Sequence, residues 1–174
     1  MSVRLGLRLA VAGLALFSLS KAGFSQVKVG IVSLQRAVLE TAEIKKASAD
    51  METKYRPRQQ AMEKLQKEIQ GIQQQLQSNA GKLTQAAEAD LNAQIQHKQR
   101  ELQRMNEDLQ ADVTAERNDI LGTSTRKMSE IVRKLADEKG LDVVVEAQSI
   151  VFFKPALDIT TDAIAAYDKA YPAK

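Results

Sequence analysis

Apolar residues recur at intervals of three and four along this chain from position 33 to position 140, with hardly a break. This spacing is typical of a coiled coil, in which the apolar stripe of one helix packs against another helix. The stripe, called the seam below, divides into two runs, so the sequence predicts two helical arms. The first run includes Ile44, Met51, Tyr55, Met62, Leu65, Ile69, Ile72 and Leu76, and the second includes Ala87, Leu91, Ile95, Leu102, Met105, Leu109 and Val113.

A short polar segment between the two runs predicts a turn. It contains Asn79, Gly81 and Lys82, and both Asn and Gly tolerate the left-handed backbone that ends a helix and reverses the chain. We therefore expect a helical hairpin over residues 35–139, with its tip near 78–84. One continuous helix in a parallel coil is the alternative, and the Asn and Gly of the turn argue against it.

An antiparallel pairing of the arms aligns their apolar residues over the whole length. It places Ile69 beside Ile95 and Tyr55 beside Leu109, and the two residue numbers of every pair sum to 163 or 164. A helical hairpin with a short loop requires such a constant sum. With a rise of about 1.5 Å per residue, an arm of about 40 residues would be roughly 60 Å long.

Two features of the arms, a proline and a glutamine-rich tract, bear on whether they are continuous helices. Pro57 removes one helical hydrogen bond and clashes with the preceding turn, so we expect an interruption, a kink and a hinge beside Arg58. Fourteen glutamines lie between Gln59 and Gln110. Such a tract often indicates disorder, but the unbroken heptads and the high helix propensity of glutamine favour helix here.

Short β-branched segments lie on both sides of the arms. Residues 27–32, 141–146 and 150–153 are predicted to be strands, and Thr160 is predicted to cap a last amphipathic helix. The regions 26–34 and 140–174 would then form a small β body at the base of the arms.

This β body has too few residues to bury an adequate core alone, and its strands leave open edges. We therefore expect copies of the chain to assemble through it. The apolar surface for assembly is predicted to come from Val29, Ile31, Val143, Val145 and Phe152. The fold class is thus mostly α, with a long antiparallel coiled-coil hairpin projecting from a short-stranded β oligomerisation domain.

Residues 1–25 have the three-part build of a secretory signal peptide. Arg4 and Arg8 precede an apolar run over 9–19, and small residues follow it. We expect cleavage after Ala22 or after Ser25. A retained membrane anchor is the alternative, but this apolar run is shorter than the roughly 20 residues that span a bilayer.

The charge of the processed chain argues against nucleic-acid binding. The full chain has 25 basic and 22 acidic residues, and residues 1–25 hold three of the basic ones and none of the acidic ones. The remaining 22 basic and 22 acidic side chains give no net charge, whereas nucleic-acid binding draws its affinity from a basic surface.

No residue pattern points to an enzyme. The chain has no Cys and one histidine, His97, so it offers no thiol nucleophile and no histidine pair for a metal. It carries no Ser-His-Asp set and no Gly-rich phosphate loop, and its many Asp and Glu residues are typical of solvated helix faces. We expect no catalysis and no cofactor.

The flanks of the hairpin resemble the Skp (OmpH-like) family of periplasmic chaperones. The specific parts are Val29–Val32, residues 141–147 and residues 158–162, and the resemblance extends over essentially the whole processed chain. It implies a homotrimeric cage in the periplasm, with helical arms around a cavity that holds unfolded outer-membrane proteins without ATP. Residues 64–104 carry six basic against four acidic side chains, so a lipopolysaccharide or lipid site is doubtful.

The predicted activity is that of a holdase, which shields apolar strands of an unfolded barrel protein from aggregation. The rival hypothesis is an envelope scaffold or spacer without enzymatic activity. A scaffold would use the arms but has no need of a separate β body. Mixing the protein with a denatured barrel protein separates the two hypotheses.

Overall fold

The structure, a computed structural model, describes residues 26–173, so the predicted signal peptide lies outside the described residues. Two long helices and a small base account for nearly all of this part of the chain. In chain order the elements are β1 (Val29–Val32), α1 (Leu34–Leu39), α2 (Ala42–Ser78), α3 (Gln85–Lys139), β2 (Val143–Glu146), 3-10 turns at Ala147–Ser149 and Pro155–Leu157, and α4 (Thr160–Ala170).

The predicted helical hairpin and the predominance of α structure are confirmed by α2 and α3. The Thr84 hydroxyl caps α3 by accepting a hydrogen bond from the Ala87 amide, 3.3 Å away. Gly81 in the turn and Gly140 after α3 have φ angles of 75° and 60°, a left-handed backbone that glycine adopts without a steric penalty. Helix α3 begins and ends where local sequence signals place it.

The first arm is broken at a different place from the one that the sequence suggests. Helix α2 runs without interruption through Pro57, so the predicted interruption is wrong. Pro57 has no amide hydrogen to donate to the Thr53 carbonyl, four residues earlier in the helix. Both residues are exposed, so water can donate to that carbonyl instead. The break lies at Thr41, a buried residue whose hydroxyl accepts from the Ile44 amide and donates to the Val38 carbonyl. Hinge motion at Pro57 stays a prediction.

The sheet of the base has two parallel strands. Val29 pairs with Val143 and Ile31 with Val145, and on its other side Ile31 forms a single bridge with Asp158. The strand predicted for 150–153 is wrong, because that segment pairs with no other strand in the described chain. The chain leaves β2 through the 3-10 turn Ala147–Ser149 instead of a hairpin turn, so this β-branched and aromatic segment does not pair with β2.

The last helix also begins differently from the prediction. Its cap is Ile159, and Thr160 is the first helical residue. The Thr160 hydroxyl accepts a hydrogen bond from the Ser33 amide at 3.0 Å, while the Asp158 carboxylate accepts one from the Thr160 amide at 2.8 Å. Thr160 therefore ties α4 to the start of α1 instead of capping α4.

The main core of the described chain sits at the base, where α1, α4 and the ends of the two long helices meet. Met128 and Tyr167 are fully buried there. The members of this base core are Val32, Ala37, Val38, Ile44, Met128, Ile131, Val132, Leu135, Ile159, Ala163 and Tyr167. A second and smaller buried cluster, the outer cluster, consists of Leu65, Ile69 and Ile95 in the outer arm, which comprises residues 59–78 of α2 and 85–110 of α3.

Candidate functional site

The predicted seam residues line the contact between α2 and α3. Tyr55, Ile69, Ile95 and Leu109 are buried. Ile44 and Leu65 are also buried. The remaining predicted seam residues are partly buried, and they are Met51, Met62, Ile72, Leu76, Ala87, Leu91, Leu102, Met105 and Val113. Because these residues hold the two helices together, the surfaces left for a partner are the flanks of the hairpin.

A groove with a volume of about 740 Å³ runs along one flank of the outer arm. Met62, Ile69 and Leu102 give it an apolar lining. Its other lining residues are mostly carboxamides, and the groove is open to solvent along the arm. An extended chain can lie in an open groove of this kind without entering a closed cavity.

A polar cluster joins α2 to α3 close to Pro57. Lys54 and Tyr55 both donate hydrogen bonds to the Glu116 carboxylate, and Arg58 pairs with Asp112 at 2.5 Å. The hydrogen bond from Lys54, followed by that from Tyr55, lowers the pKa of Glu116 below its ordinary value. This cluster joins the two helices on both sides of the expected hinge.

The tip residues form a compact turn. The Asn79 side-chain amide donates to the Gln75 carbonyl at 2.9 Å, and the Lys82 amide donates to the Asn79 carbonyl at 2.9 Å. Lys82 and Gly81 are exposed. The tip thus closes the hairpin and presents a single basic side chain.

A second polar cluster fastens α4 to both arms at the base. Tyr167 and Lys127 donate hydrogen bonds to the Glu43 carboxylate, and Asp168 accepts from the Ala42 amide at 2.9 Å, where α2 begins. Burial would raise the pKa of Glu43, but the hydrogen bonds from Lys127 and Tyr167 and the charge of Lys127 outweigh it and lower that pKa. Burial, with the hydrogen bond to Glu43, raises the pKa of Tyr167.

The five residues predicted for assembly divide between the interior and the surface. Ile31 was predicted to lie on the assembly surface, but it is buried within its own chain. That prediction is wrong, because the Ile31 side chain packs inside the subunit and leaves no surface for a partner. Val29 and Val145 are partly buried. Val143 is 42% exposed and Phe152 is 81% exposed, so these two have apolar surface left for a partner.

The exposed apolar surface at the base extends past the predicted residues. Val151 is fully exposed beside Phe152. In the described chain β2 pairs with β1 alone, which leaves its other edge open. An open strand edge beside exposed apolar side chains is a pairing surface for another chain. The β-rich composition of 150–153 signalled this surface, although not as a strand.

The described residues, 26–173, lack two features. Within this range no helix is both long enough and apolar enough to cross a membrane. The same range holds no group of three or more His, Asp or Glu side chains placed to bind a metal ion.

The described chain thus combines a long helical hairpin that carries an open groove with a small base that has exposed apolar surface. The sequence matches the family Outer membrane protein (OmpH-like) over residues 28–167. The chain therefore belongs to the OmpH-like family, as the resemblance of its flanking segments predicted.

Relatives of known name agree with this membership. The chain is 27% identical over 141 residues to a Skp-like protein of Pseudomonas aeruginosa, covering 81% of this chain and 84% of that one. It is 24% identical over 161 residues to the chaperone protein Skp of Pectobacterium atrosepticum, covering 90% and 95%. A crystal structure of an OmpH-like protein from Caulobacter crescentus CB15 superposes with a TM-score of 0.72 at 20% identity, covering 91% and 94%. The fold is shared with that structure.

Proposed function

We propose that this protein is an ATP-independent holdase chaperone that binds unfolded outer-membrane β-barrel proteins and prevents their aggregation. The observation that carries the proposal is the open groove along one flank of a projecting arm, in a chain of the OmpH-like family. An unfolded barrel protein exposes long apolar strands, and an extended groove accommodates such strands without requiring one sequence. The names of the Skp relatives support the same role.

Assembly through the base supplies several arms. Val143, Val151 and Phe152 offer apolar surface beside the open edge of β2, which supports a homo-oligomer, and the family resemblance favours a trimer. Arms that project from one body surround a shared space, so weak contacts on each arm add up to a high overall affinity. A single arm would provide a fraction of these contacts.

Release of the client follows from mass action. A holdase binds the unfolded state, so a client that folds into a membrane is withdrawn from the binding equilibrium. No nucleotide is needed for this cycle. The predicted signal peptide supports a periplasmic location, which lies between the inner membrane and the membrane that receives barrel proteins.

Light scattering of a client diluted from urea tests the proposal. An unfolded outer-membrane barrel protein should aggregate alone and remain clear with one oligomer of this protein per client. The control is the variant Val143→Asp with Phe152→Asp, which should be monomeric and less protective because it places charges on the assembly surface. Unchanged aggregation with the wild-type protein would favour the scaffold hypothesis instead.

A further inference from the structure

Carboxamide side chains are concentrated on one flank of the outer arm. The groove on that flank is lined by Gln66, Gln70 and Gln73 from α2 and by Gln99, Gln103 and Asn106 from α3. All six are exposed, and we call them the amide face. Each set follows the spacing i, i+4, i+7, which keeps residues on one side of a helix.

The two rows of the amide face match each other across the hairpin. Gln66 with Gln103, and Gln70 with Gln99, are pairs whose residue numbers both sum to 169, so the two rows run in opposite directions along the groove, as antiparallel helices require. The groove between the rows also has Glu63 and Lys67 in its lining, and their charges have opposite sign. The amide face is therefore a double row of uncharged hydrogen-bonding groups beside the apolar lining of the groove.

The opposite flank of the same helices is built differently. At the positions that precede seam residues, it carries Lys64 and Glu68 on α2 and Glu101, Arg104 and Asp108 on α3. An ion pair, Lys98 to Glu68 at 2.7 Å, links the helices there. Gln, Glu, Lys and Arg have similar helix propensities, so helix formation does not explain why one flank has amides and the other has charges.

The chemistry of the amide face matches that of a polypeptide main chain. A carboxamide has one acceptor oxygen and a donor NH₂ group, the same kinds of group that each peptide unit presents. Moving an extended unfolded chain out of water costs free energy unless its N–H and C=O groups find new partners. Long, flexible glutamine side chains can reach such groups, while the apolar lining of the groove contacts apolar side chains of the bound segment.

We infer that the amide face binds the main chain of extended, unfolded polypeptide segments through sequence-independent hydrogen bonds. The inference rests on the proposed holdase function and identifies the surface that performs it. Because the face carries no net charge, binding is expected to depend little on salt and on the charge of the client. The charged flank would then serve solubility and hairpin pairing.

A pair of matched fourfold variants tests the inference. The face variant is Gln66→Ala, Gln70→Ala, Gln99→Ala and Gln103→Ala. The control variant is Gln60→Ala, Gln74→Ala, Gln75→Ala and Gln94→Ala, and none of these four glutamines lines the groove. Alanine has a higher helix propensity than glutamine, so both variants should keep the hairpin, and circular dichroism checks this.

Affinity for a urea-unfolded outer-membrane barrel protein is measured by fluorescence in 50 mM and 500 mM NaCl. The face variant should bind at least about tenfold more weakly than the control variant, because several weakened hydrogen bonds are repeated on every arm. The wild-type affinity should change less than about threefold with salt. Equal affinities of the two variants would overturn the inference and leave the proposed function intact.

Other results separate the two proposals. If the wild type fails to bind the unfolded barrel protein, the proposed function is wrong, and the same three proteins are then compared with a urea-unfolded soluble protein. Loss of that binding in the face variant alone would support the amide face, and no wild-type binding would overturn it. A change of oligomer mass in the face variant would also overturn it, since the face would then be a contact between subunits.

A photocrosslinker provides a test that does not depend on affinity. A benzoylphenylalanine replaces Gln73, on the amide face, or Gln75, two residues away on the charged flank. Crosslinks to the unfolded client should form from position 73 in clear excess over position 75. Equal or reversed yields would overturn the inference even if both substituted proteins bind the client.

Discussion

The base and the outer arm of this molecule are stabilised in different ways. The base buries eleven apolar residues contributed by β1 and all four helices, and Met128 and Tyr167 have no exposed surface. The outer arm buries Leu65, Ile69 and Ile95, which form a single strip between two helices. A core with several layers unfolds cooperatively, whereas a strip between two helices can open locally.

Polar interactions follow the same division. At the base, the hydroxyl of the buried Tyr167 donates to the Glu43 carboxylate, so a shared network holds three helices together. In the outer arm, the ion pair between Lys98 and Glu68 is partly exposed to solvent, and such pairs contribute little to stability. The difference suggests a division of labour, in which a firm base carries an arm that can adapt to a partner.

The largest expected effect is at the base. Met128→Ala leaves a cavity in a fully buried position and should lower the free energy of unfolding by about 2–5 kcal/mol. Met105→Ala, in the same helix but partly exposed beside the outer cluster, should cost clearly less. Urea denaturation followed by circular dichroism measures both. Equal losses would mean that the base and the outer arm have comparable cores.

The next effect is local. Ile69→Asp places an unpaired charge in the outer cluster, which costs at least about 1–3 kcal/mol, so the outer arm should open while the base stays folded. Hydrogen exchange should accelerate between residues 59 and 110 and remain slow near Met128. The exposed substitution Gln74→Asp is the control. Faster exchange throughout the chain would show that the arm and the base unfold as one unit.

A smaller effect of opposite sign is expected at Pro57. Pro57→Ala restores a helical hydrogen bond in α2 and should stabilise the arm by about 1 kcal/mol or more. If Pro57 is a hinge, spin labels at Lys82 and at Lys28 should give a narrower distance distribution in the variant. An unchanged distribution would count against the hinge.

The smallest expected effect is a loss of folding stability at low pH. The pKa values of Glu43, Glu68 and Glu116 lie below their ordinary value of 4.5 in the folded chain. A carboxylate with a lowered pKa binds fewer protons when folded, so its contribution to stability is present above pH 4.5 and disappears as the pH falls through the lowered value. Urea denaturation at pH 7 and pH 3 should show this loss, and Glu43→Gln should reduce it.

The parts of the fold that were predicted correctly depend on local rules. The hairpin follows from the spacing of seam residues such as Ile69 and Ile95, and its turn follows from Gly81. The errors depend on distant contacts. Thr41 caps α2 from a buried position at the base and so separates α2 from α1, and Ile31 is buried because β2 and the segment at Asp158 lie on its two sides. Neither environment can be predicted from neighbouring residues.

The candidate surfaces show the same limit. The number of glutamines was evident from the sequence, but the amide face requires knowing which flank of α2 lies beside which flank of α3. Phe152 was predicted to be apolar assembly surface in a strand, and it lies exposed in an unpaired segment. In the proposed oligomer its partner would be another chain, and such a contact cannot be predicted from the residues around Phe152.

Hydrogen exchange of the assembled protein, alone and bound to an unfolded outer-membrane barrel protein, tests the central claim that the arm holds the client. We predict slower exchange in the bound state in the outer arm, over residues 59–78 and 85–110. Exchange in β1, β2 and the base core should be unchanged. Protection confined to the base, or no protection in either helix of the arm, would contradict the account.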